Sequence, residues 1–346
     1  MTARPGMAEA AILHIVGSDQ PEHVETTGGK LKLKGSTDLH RLLGKGVPHH
    51  RLHVTPNFFR QHRRPDLSGY QFLLNLITEP ERNSRVLENM RKLLRELPGK
   101  VINRPEAVLR STRDQVARRL AGIPGLVVPK VVRLRTGKPA IAVQTVLRAG
   151  LQFPLIVRPA GTHAGRILGR FDDVSDLQAA LTGGDDHIAT EFIDFRSADG
   201  LYRKYRAFFI GRHVVFRHMI VSDDWSVHAK DRRRFMALHQ NLIEEEKGLF
   251  ATPGGAFPPG VAQVLETIRD RMGLDFFGMD FGIAEDGRVV LFEANATMNF
   301  FPFLAEPQFA YVQRCIAPAQ EAFHELLGLP HAIATGSPSQ TDLEHA

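Results

Sequence analysis

Residues 278–283 (GMDFGI) and 289–295 (VVLFEAN) decide how this sequence is interpreted, because they flank the dipeptide Asp286-Gly287. Both stretches are rich in β-branched, aromatic and other apolar residues, which suit a half-buried strand. Asp-Gly between two such runs is one of the stronger short-range signals for a hairpin. The sequence therefore predicts two antiparallel strands joined by a tight turn.

Polar side chains converge on one face of this predicted hairpin. A two-residue turn would pair Glu285 with Arg288 and, counting back, Asp280 with Glu293. Directly opposed residues have Cβ atoms about 4.5–5.5 Å apart, and Asn295 projects from the same face. Two carboxylates and an amide oxygen are hard ligands of the kind that Mg²⁺ binds. Opposed carboxylates repel unless a cation or proton lies between them, which indicates a metal site. The alternatives are a carboxylate that faces solvent, or a register shifted by one residue.

The composition is that of an ordinary globular protein, with 346 residues of which 43% are hydrophobic and 24% charged. This length suggests two or three domains. The single cysteine, Cys315, excludes a disulfide framework and a thiolate metal cluster, and we expect it to be a core residue. A formal net charge of +6 allows phosphate, carboxylate or nucleic-acid partners without choosing among them.

No segment has the sequence properties of a membrane anchor or a secretory signal. The apolar runs are shorter than the roughly 20 residues that a membrane-spanning helix needs. The short apolar stretch 10–16 is interrupted by His14 and lacks a convincing cleavage site. We therefore expect a cytoplasmic protein without a membrane partner.

Strand and helix signals alternate along the first hundred residues. Residues 71–77 predict a strand buried on both faces, residues 83–97 carry a helical stripe, and residues 101–103 predict another strand. Strand, helix and strand at this spacing form a βαβ unit, so this part is expected to be a small α/β domain. Further along, we predict one strand over 127–134, a loop containing a helix over 223–258, and a closing helix over 309–327.

Asp280 on one strand and Glu293-x-Asn295 on the next resemble the ATP-grasp superfamily, as does the order of elements over residues 100–330. The resemblance is to glutathione-synthase-like and RimK-like carboxylate–amine ligases. It implies a mixed α/β and α+β chain, with an ATP-grasp fold behind an N-terminal α/β (pre-ATP-grasp) domain. In that superfamily the acidic pair and the asparagine hold the magnesium ions that bridge the ATP phosphates. The resemblance therefore implies ATP and Mg²⁺, with Mn²⁺ as an alternative metal.

The resemblance divides the chain into four segments. Residues 1–108 would form the N-terminal substrate-side domain, residues 109–198 the first ATP-grasp lobe, and residues 199–329 the second lobe with the metal hairpin. Residues 330–346 are rich in Ser, Pro, Thr and Gly and are expected to form a flexible tail.

Two arginines fall where the superfamily usually has phosphate-binding lysines. Residues 153–159 (FPLIVRP) resemble the strand that delivers a cation to the phosphates, which places Arg158 there. Arg118, on the helix before Gly122-Ile123-Pro124, corresponds to the other lysine. Arginine stays cationic and can donate two hydrogen bonds to a phosphate, although it differs from lysine as a point charge.

Residues 161–165 (GTHAG) resemble the glycine-containing loop that closes over the triphosphate in this superfamily. Their position, between the strand of Arg158 and the next strand, carries more weight than the two glycines alone. Glycine allows backbone N–H groups to come close to phosphate oxygens. The resemblance therefore implies ATP contacts from Gly161, Thr162 and Gly165.

Glu191-Phe192-Ile193 resembles the segment that links the two lobes, where backbone groups bind the adenine edge. In the superfamily an acidic residue farther along the chain binds the ribose. Asp194 and Asp199 are both candidates for that role, and the sequence does not choose between them.

Residues 204–211 (KYRAFFIG) resemble the strand of these ligases that carries a catalytic arginine, which falls on Arg206. The resemblance implies that Arg206 stabilises the acyl phosphate and the oxyanion, where negative charge develops. Arg203 and Lys204 are alternatives for this role. A solvated face of an edge strand is the alternative for the whole segment.

Several further residues are candidates for substrate contacts. His218, Trp225 and His228 lie in or just after this region, where they would line an acceptor pocket. Asn75 and Asn103 end strands of the predicted N-terminal sheet, and ligands usually bind at the carboxyl ends of such strands. Packing or surface positions are the alternative for each of them.

The resemblance implies an ATP- and magnesium-dependent ligase that joins a carboxylate to an amine, or to a thiol, through an acyl phosphate. Its partners would be small-molecule or peptide acids and amines, and a homodimer is compatible with it. No nucleic-acid partner is expected, because the sequence lacks a recognition motif. Two alternatives share the same motifs: a small-molecule kinase, and a nucleotide-binding regulatory protein without turnover, which the arginines in place of lysines favour.

Overall fold

The computed structural model describes residues 12–20, 24–27, 30–33, 35–44, 47–58, 65–95, 97, 100–135, 139–161, 167–181, 186–301, 303 and 306–329. The predicted tail 330–346 lies outside the described residues, as do Thr162 and Gly165 of the predicted phosphate loop. The described residues form an N-terminal domain, a four-stranded antiparallel sheet and a five-stranded mixed sheet.

A parallel sheet forms the N-terminal domain. The strands of this part of the chain are β1 (Ile12–Gly17), β2 (Val24–Thr27), β3 (Lys30–Leu33), β4 (His49–Val54), β5 (Phe72–Asn75) and β6 (Lys100–Ile102). A four-stranded parallel sheet has the order β4-β1-β5-β6, and β2 pairs with β3. β1 and β5 are buried along most of their length, because a parallel sheet is covered on both faces.

Helix α1 (Ser84–Leu94) packs on one face of this parallel sheet. Its buried residues recur every three or four positions, as an amphipathic helix requires, and are Val86, Leu87, Met90 and Leu94. The predicted strand–helix–strand unit is therefore confirmed. A 3-10 helix (Leu39–Leu43) and helix α2 (Pro105–Leu109) complete the domain.

Two further sheets follow. Their strands are β7 (Leu126–Val127), β8 (Val131–Leu134), β9 (Leu155–Pro159), β10 (Gly169–Phe171), β11 (His187–Glu191), β12 (Tyr202–Ile210), β13 (His213–Ser222), β14 (Phe276–Ile283) and β15 (Val289–Asn295). The small sheet has the order β10-β9-β11-β8 and the large sheet the order β13-β12-β14-β15-β7. The predicted single strand over 127–134 is wrong, since β7 and β8 join different sheets. Pro129, which has no N–H to donate to a ladder, lies between them.

The remaining helices are α3 (Arg113–Leu120), α4 (Pro139–Arg148), α5 (Val174–Ala180), α6 (Asp231–Arg234), α7 (Gln240–Leu249), α8 (Pro259–Met272) and α9 (Ile316–Leu327). Helix α4 is not predicted from the sequence, because its buried residues Ala142, Val143 and Val146 make only a short apolar stripe. The predicted loop 223–258 contains α6 and α7, and the predicted closing helix begins as a 3-10 helix (Pro307–Cys315) before α9. Within the described residues no helix has both the length and the apolar character needed to cross a membrane.

The small sheet packs differently from the large sheet. It has a core of its own, formed with α4 and α5. The large sheet instead shares a core with the N-terminal domain, where Phe208 and Phe276 join Ile12 and Leu74. Cys315 belongs to this shared core at 2% exposure, which confirms its prediction as a core residue. The small sheet is thus the part of the fold whose packing depends least on the rest.

Candidate active site

A cleft of about 60 Å³ lies between the small sheet and the large sheet. Its lining comes from the loop after β5, the start of α3, strands β8, β9 and β11, and strand β15. Of the predicted site residues that the structure describes, four line this cleft, namely Arg158, Gly161, Glu293 and Asn295.

The hairpin that carries Glu293 has a longer turn than the sequence predicts. Ala284 N donates to Arg288 O over 2.9 Å, so the loop consists of residues 285–287. Gly287 is left-handed, with φ of +81°, as the last position of such a loop requires. The predicted pair of Glu285 with Arg288 is therefore wrong.

A β-bulge at Phe292 restores the predicted pairing at the site. Phe281 lies opposite Leu291, whereas Asp280 lies opposite Glu293, so Phe292 is the extra residue on β15. The longer loop shifts the register by one residue and the bulge shifts it back. The pairing of Asp280 with Glu293 is therefore as predicted, at a kind of irregularity that often re-aims side chains beside binding sites.

Asp280 is neutralised by an arginine on the neighbouring strand. Arg206 donates to both of its oxygens, from Nε to Oδ1 at 2.6 Å and from Nη2 to Oδ2 at 2.8 Å. The two residues lie opposite each other on β12 and β14, so the sheet register sets this bidentate pair. Lys204 Nζ lies 3.8 Å from Oδ2. Burial lowers the pKa of Lys204, and the carboxylate of Asp280 counteracts this shift.

Glu293 is held by a different arginine. Arg113 Nη2 lies 2.9 Å from Glu293 Oε1, and Asn295 Nδ2 donates to the same oxygen over 2.9 Å. Arg113 also donates from Nη1 to Phe292 O at 2.7 Å, which ties the start of α3 to the bulge. Each of the two opposed carboxylates thus has its own guanidinium partner. The repulsion that indicated a metal is balanced by arginines in this structure.

The side-chain oxygens of Asp280, Glu293 and Asn295 fit magnesium by chemical type. Asn295 Oδ1 accepts from Thr297 N and Met298 N, each at 2.9 Å, and Asp280 is engaged by Arg206. Within the described part of the chain, no group of three or more His, Cys, Asp and Glu side chains is arranged to hold a metal ion. The set of two carboxylates and one amide nevertheless has the hard oxygen chemistry that Mg²⁺ selects. The assignment of Asp280, Glu293 and Asn295 as metal ligands stays a prediction.

Two buried polar groups at the cleft fit an anionic ligand. Among the residues that the structure describes, neither Arg158 Nε nor Thr190 Oγ1 has a hydrogen-bond partner. Burial, together with the charge of Arg113, lowers the pKa of Arg158 to about 10, while Glu293 counteracts the shift. Arg158 therefore stays charged at neutral pH. Because a buried polar atom without a hydrogen-bond partner is unfavourable, an anion that accepts a hydrogen bond from Arg158 Nε would stabilise this arrangement.

Arg118 lies outside the cleft. Its side chain is 74% exposed and pairs at 3.2 Å with Asp114, one turn earlier on α3. Arg113, at the start of the same helix, lines the cleft instead. In the sequence, residues 111–114 (STRD) have the composition of a helix cap, and that pattern does not mark Arg113 as a residue of the cleft. The assignment of Arg118 stays a prediction that a comparison with Arg113 tests.

Residues 191–193, the predicted segment between the two lobes (here called the hinge), are held in place at their start by the side chain of Glu191. This carboxylate accepts from Lys130 N at 3.1 Å and from Gln152 N at 2.9 Å. The next residue, Phe192, donates its N–H to Pro154 O at 2.8 Å. These contacts hold the end of β11 against the loops before β8 and β9. The adenine contacts predicted for residues 191–193, including Ile193, stay predictions.

Trp225 belongs to an aromatic cluster that connects the two sheets. Its ring lies edge-on to that of Phe192, with 5.5 Å between centroids. The guanidinium of Arg170, on β10, lies 4.4 Å above the Phe192 ring and 5.9 Å above that of Trp225. The small sheet, the hinge and the loop after β13 therefore meet at this cluster.

The two candidates for ribose binding are both engaged by arginines. Arg196 donates to Asp194, from Nη2 to Oδ2 at 2.6 Å, and this hydrogen bond lowers the pKa of Asp194. Arg203 binds Asp199 at 2.9 and 2.7 Å and lowers the pKa of that carboxyl to about 2. Arg203 also pairs with Glu245 at 2.7 Å, whereas Arg206 is the arginine that binds Asp280. A ribose contact from either aspartate stays a prediction.

His218 lies opposite Arg206 on β13, on the same face of the large sheet. Burial and the nearby cations, Arg206 first among them, hold its pKa well below the usual value, so the imidazole is neutral. His228 contacts Ser226 Oγ through Nε2 at 3.0 Å, and burial and Lys204 lower its pKa. The structure thus brings His218 to the predicted catalytic arginine. Substrate contacts from both histidines stay predictions.

Asn75 and Asn103 use their amide groups within the protein. Asn75 is fully buried, donates to Asn103 O at 2.9 Å and accepts from Ile77 N at 3.1 Å. Asn103 has a φ of +56° and binds Phe276 through both amide atoms, at 2.7 and 3.0 Å. These contacts fasten the parallel sheet to the start of β14. The predicted substrate contact from Asn75 stays untested.

The small and large sheets around the cleft have the ATP-grasp fold, and the parallel-sheet domain precedes them in the chain. No protein-family model and no curated protein matches this chain. Similar solved structures include the VanG D-Ala:D-Ser ligase from Enterococcus faecalis, at 12% identity and a TM-score of 0.54 over 92% of this chain and 98% of that chain. Carboxyaminoimidazole ribonucleotide synthase from Aspergillus clavatus has 13% identity and a TM-score of 0.51 over 95% and 78% of the two chains. The macrocyclase MdnC from Microcystis aeruginosa, solved with its precursor peptide, has 13% identity and a TM-score of 0.50 over 92% and 99%. At these identities the similarity is one of fold.

Proposed function

We propose that the protein is an ATP- and magnesium-dependent ligase that joins a carboxylate to an amine through an acyl phosphate. The observation that carries this proposal is Arg158, a charged and half-buried residue that lines the cleft together with Arg113 and Glu293. Its Nε atom is buried and has no hydrogen-bond partner among the described residues. Guanidinium groups in such a cleft suit phosphate. The ligases among the structures of the same fold support the reaction class. The substrates would be small-molecule or peptide acids and amines.

The cleft offers two kinds of surface to a nucleotide. The apolar side chains of Val131, Ile188 and Leu291 suit a base, and Arg113 and Arg158 suit phosphates. The separate core of the small sheet would allow it to move relative to the large sheet when a nucleotide binds.

The first chemical step joins the acid substrate to phosphate. A carboxylate oxygen attacks the γ-phosphorus, the bond to the bridging oxygen breaks, and ADP leaves as the acyl phosphate forms. Arg206 would stabilise the negative charge that develops there, because its bidentate contact with Asp280 fixes the direction of the guanidinium. No protein nucleophile is required for this step.

The second step forms the amide. The amine nitrogen attacks the acyl carbon, phosphate leaves, and the nitrogen loses a proton. His218, neutral and on the same face as Arg206, would accept a hydrogen bond from the amine. Magnesium held by Asp280, Glu293 and Asn295 would supply additional positive charge to the phosphate oxygens.

The variants Arg158→Met and Arg113→Met are each expected to weaken ATP binding about 10–100-fold. This range follows from the contribution of a hydrogen bond to a charged group, about 1.5–3 kcal/mol. Calorimetric titration of the full-length protein with a non-hydrolysable ATP analogue and MgCl₂ measures the effect. ATP affinity unchanged by Arg158→Met would mean that the cleft does not bind the phosphates.

Arg118→Met distinguishes the two candidate cations of helix α3. We expect this variant to bind the analogue within about twofold of the wild type, because substitutions of exposed side chains have small effects and Arg118 is 74% exposed. If Arg118→Met weakened binding while Arg113→Met did not, the assignment from the sequence would be right and that from the cleft geometry wrong.

A further inference from the structure

A row of side chains crosses the small sheet on the side that faces the cleft. Arg158 on β9 lies opposite Ile188 on β11, and Ile188 lies opposite Arg133 on β8. Directly opposed residues of an antiparallel sheet project from the same face. Because Arg158 and Ile188 line the cleft, Arg133 lies on the cleft side as well. The small sheet therefore presents two arginines from this one row.

Arg133 is bound by a carboxylate from the N-terminal domain. Its Nη2 forms a hydrogen-bonded ion pair with Glu81 Oε1, and Asp114 Oδ1 lies farther away, at 3.9 Å. Glu81 belongs to the loop between β5 and α1, where its N–H donates to Glu79 Oε1 at 3.1 Å. Glu79 and Glu81 both line the cleft. A carboxylate thus lines the cleft and engages an arginine on the cleft side of the small sheet.

The same loop also contacts the start of the glycine loop. Arg82 Nε donates to Gly161 O over 3.0 Å. Gly161 has a φ of +64°, and a Cβ built there would lie 3.2 Å from Glu81 Oε2. The carboxylate of Glu81 therefore packs directly against the backbone of Gly161. Two successive residues of the N-terminal domain, Glu81 and Arg82, hold the edge of the small sheet.

We infer that Arg133 is a further anion-binding residue of the cleft, and that Glu81 competes with the ligand's phosphate groups for it. The inference rests on the proposed function for the identity of the ligand, a nucleoside triphosphate. A triphosphate that contacts Arg158 and the Gly161 backbone comes close to both Arg133 and Glu81. Its negative charge is attracted to the first and repelled by the second. Binding thus replaces one anionic partner of Arg133 by another.

Replacement of Glu81 by phosphate as the partner of Arg133 also affects the N-terminal domain. When phosphate displaces Glu81 from Arg133, the N-terminal domain loses one of its contacts with the small sheet. Nucleotide binding and the position of the substrate-side domain are then coupled, because the ligand favours the state in which this contact is open. Glu81 would in this way set both the affinity for the nucleotide and the ease with which the small sheet moves.

The test compares Glu81→Gln and Arg133→Gln with the wild type. Calorimetric titrations of the full-length protein use two probes: the ATP analogue with MgCl₂, and inorganic tripolyphosphate, which lacks base and ribose. Glu81→Gln is expected to bind both probes about tenfold more tightly, since removing a nearby like charge lowers the electrostatic cost of binding an anion. Arg133→Gln is expected to bind both about tenfold more weakly. The control Glu88→Gln removes the same charge from an exposed pair with Arg91 on α1 and should change neither affinity.

The double variant Glu81→Gln/Arg133→Gln shows whether the two residues act on each other. Competition predicts that Glu81→Gln gives no gain once Arg133 is absent, as a double-mutant cycle measures. Unchanged or weaker binding of both probes by Glu81→Gln would overturn the inference, and so would the failure of the wild type and every variant to bind tripolyphosphate. Tighter tripolyphosphate binding by Glu81→Gln, with no binding of the ATP analogue, would support the inference and contradict the proposed function.

Discussion

A Glu293→Gln variant is expected to release ADP at least about a hundredfold more slowly than the wild type in the presence of acid and amine substrates. Glutamine keeps the shape of the side chain and an oxygen that can accept from Asn295, but it lacks the charge that faces Arg113 and would bind magnesium. A metal cation bound beside the transferring phosphate stabilises the transition state by several kcal/mol, and losing it corresponds to a rate decrease of this size. A coupled assay of ADP release measures it.

Glu285→Gln is the matched control for this variant. It removes the same charge from the exposed turn of the same hairpin and is expected to keep turnover within about twofold of the wild type. Full activity of Glu293→Gln would contradict the assignment of Glu293 as a metal ligand. Equal losses in both variants would show that the hairpin, rather than the metal site, is responsible.

Glu246→Gln is expected to lower the free energy of unfolding by about 3–5 kcal/mol, the usual cost of removing one partner from a buried ion pair. Glu246 is fully buried and accepts from Met219 N at 2.8 Å, from Arg232 Nη1 at 2.8 Å and from the hydroxyl of Tyr311. Glutamine would leave the buried charge of Arg232 without its carboxylate. This network of contacts holds α6 and α7 against β13. Losing it should therefore destabilise the segment of residues 223–258 that contains these two helices.

The neighbouring residue provides the control for stability. Glu245 is exposed and pairs with Arg203 at 2.7 Å. Surface ion pairs contribute about 0–1 kcal/mol, so Glu245→Gln should have an effect in that range. Urea denaturation followed by circular dichroism gives both values. Similar small losses for the two variants would mean that the buried network contributes little to folding stability.

The hairpin of β14 and β15 shows which structural features local sequence patterns predict and which they do not. The two apolar runs and the Asp-Gly pair located β14 and β15, but neither signal revealed the third residue of the loop. The bulged Phe292 has the composition of any strand residue, so the bulge could not be predicted either. Asp280 and Glu293 were paired correctly because the longer loop and the bulge shift the register in opposite directions. The pairing of these two carboxylates was therefore predictable, whereas the path of the backbone to it was not.

The other cations of the site depend on contacts that no local pattern encodes. Arg113 looks like part of a helix cap in the sequence, and only the packing of α3 beside β15 brings it to Glu293. Glu81 and Arg133 are 52 positions apart in the chain, with one in the N-terminal domain and the other in the small sheet. Their pairing follows from how these two parts meet, which is a tertiary property.

Mass spectrometry of the reaction products tests the proposed ligase activity most directly. The full-length protein is incubated with ATP, MgCl₂ and mixed carboxylic acids and amines, peptides included, and Glu293→Gln is the reference. We predict a wild-type product with the mass of an acid plus an amine minus water, formed together with ADP and phosphate. A substrate that gains only a phosphoryl group, with no condensation product, would contradict the ligase and indicate a kinase.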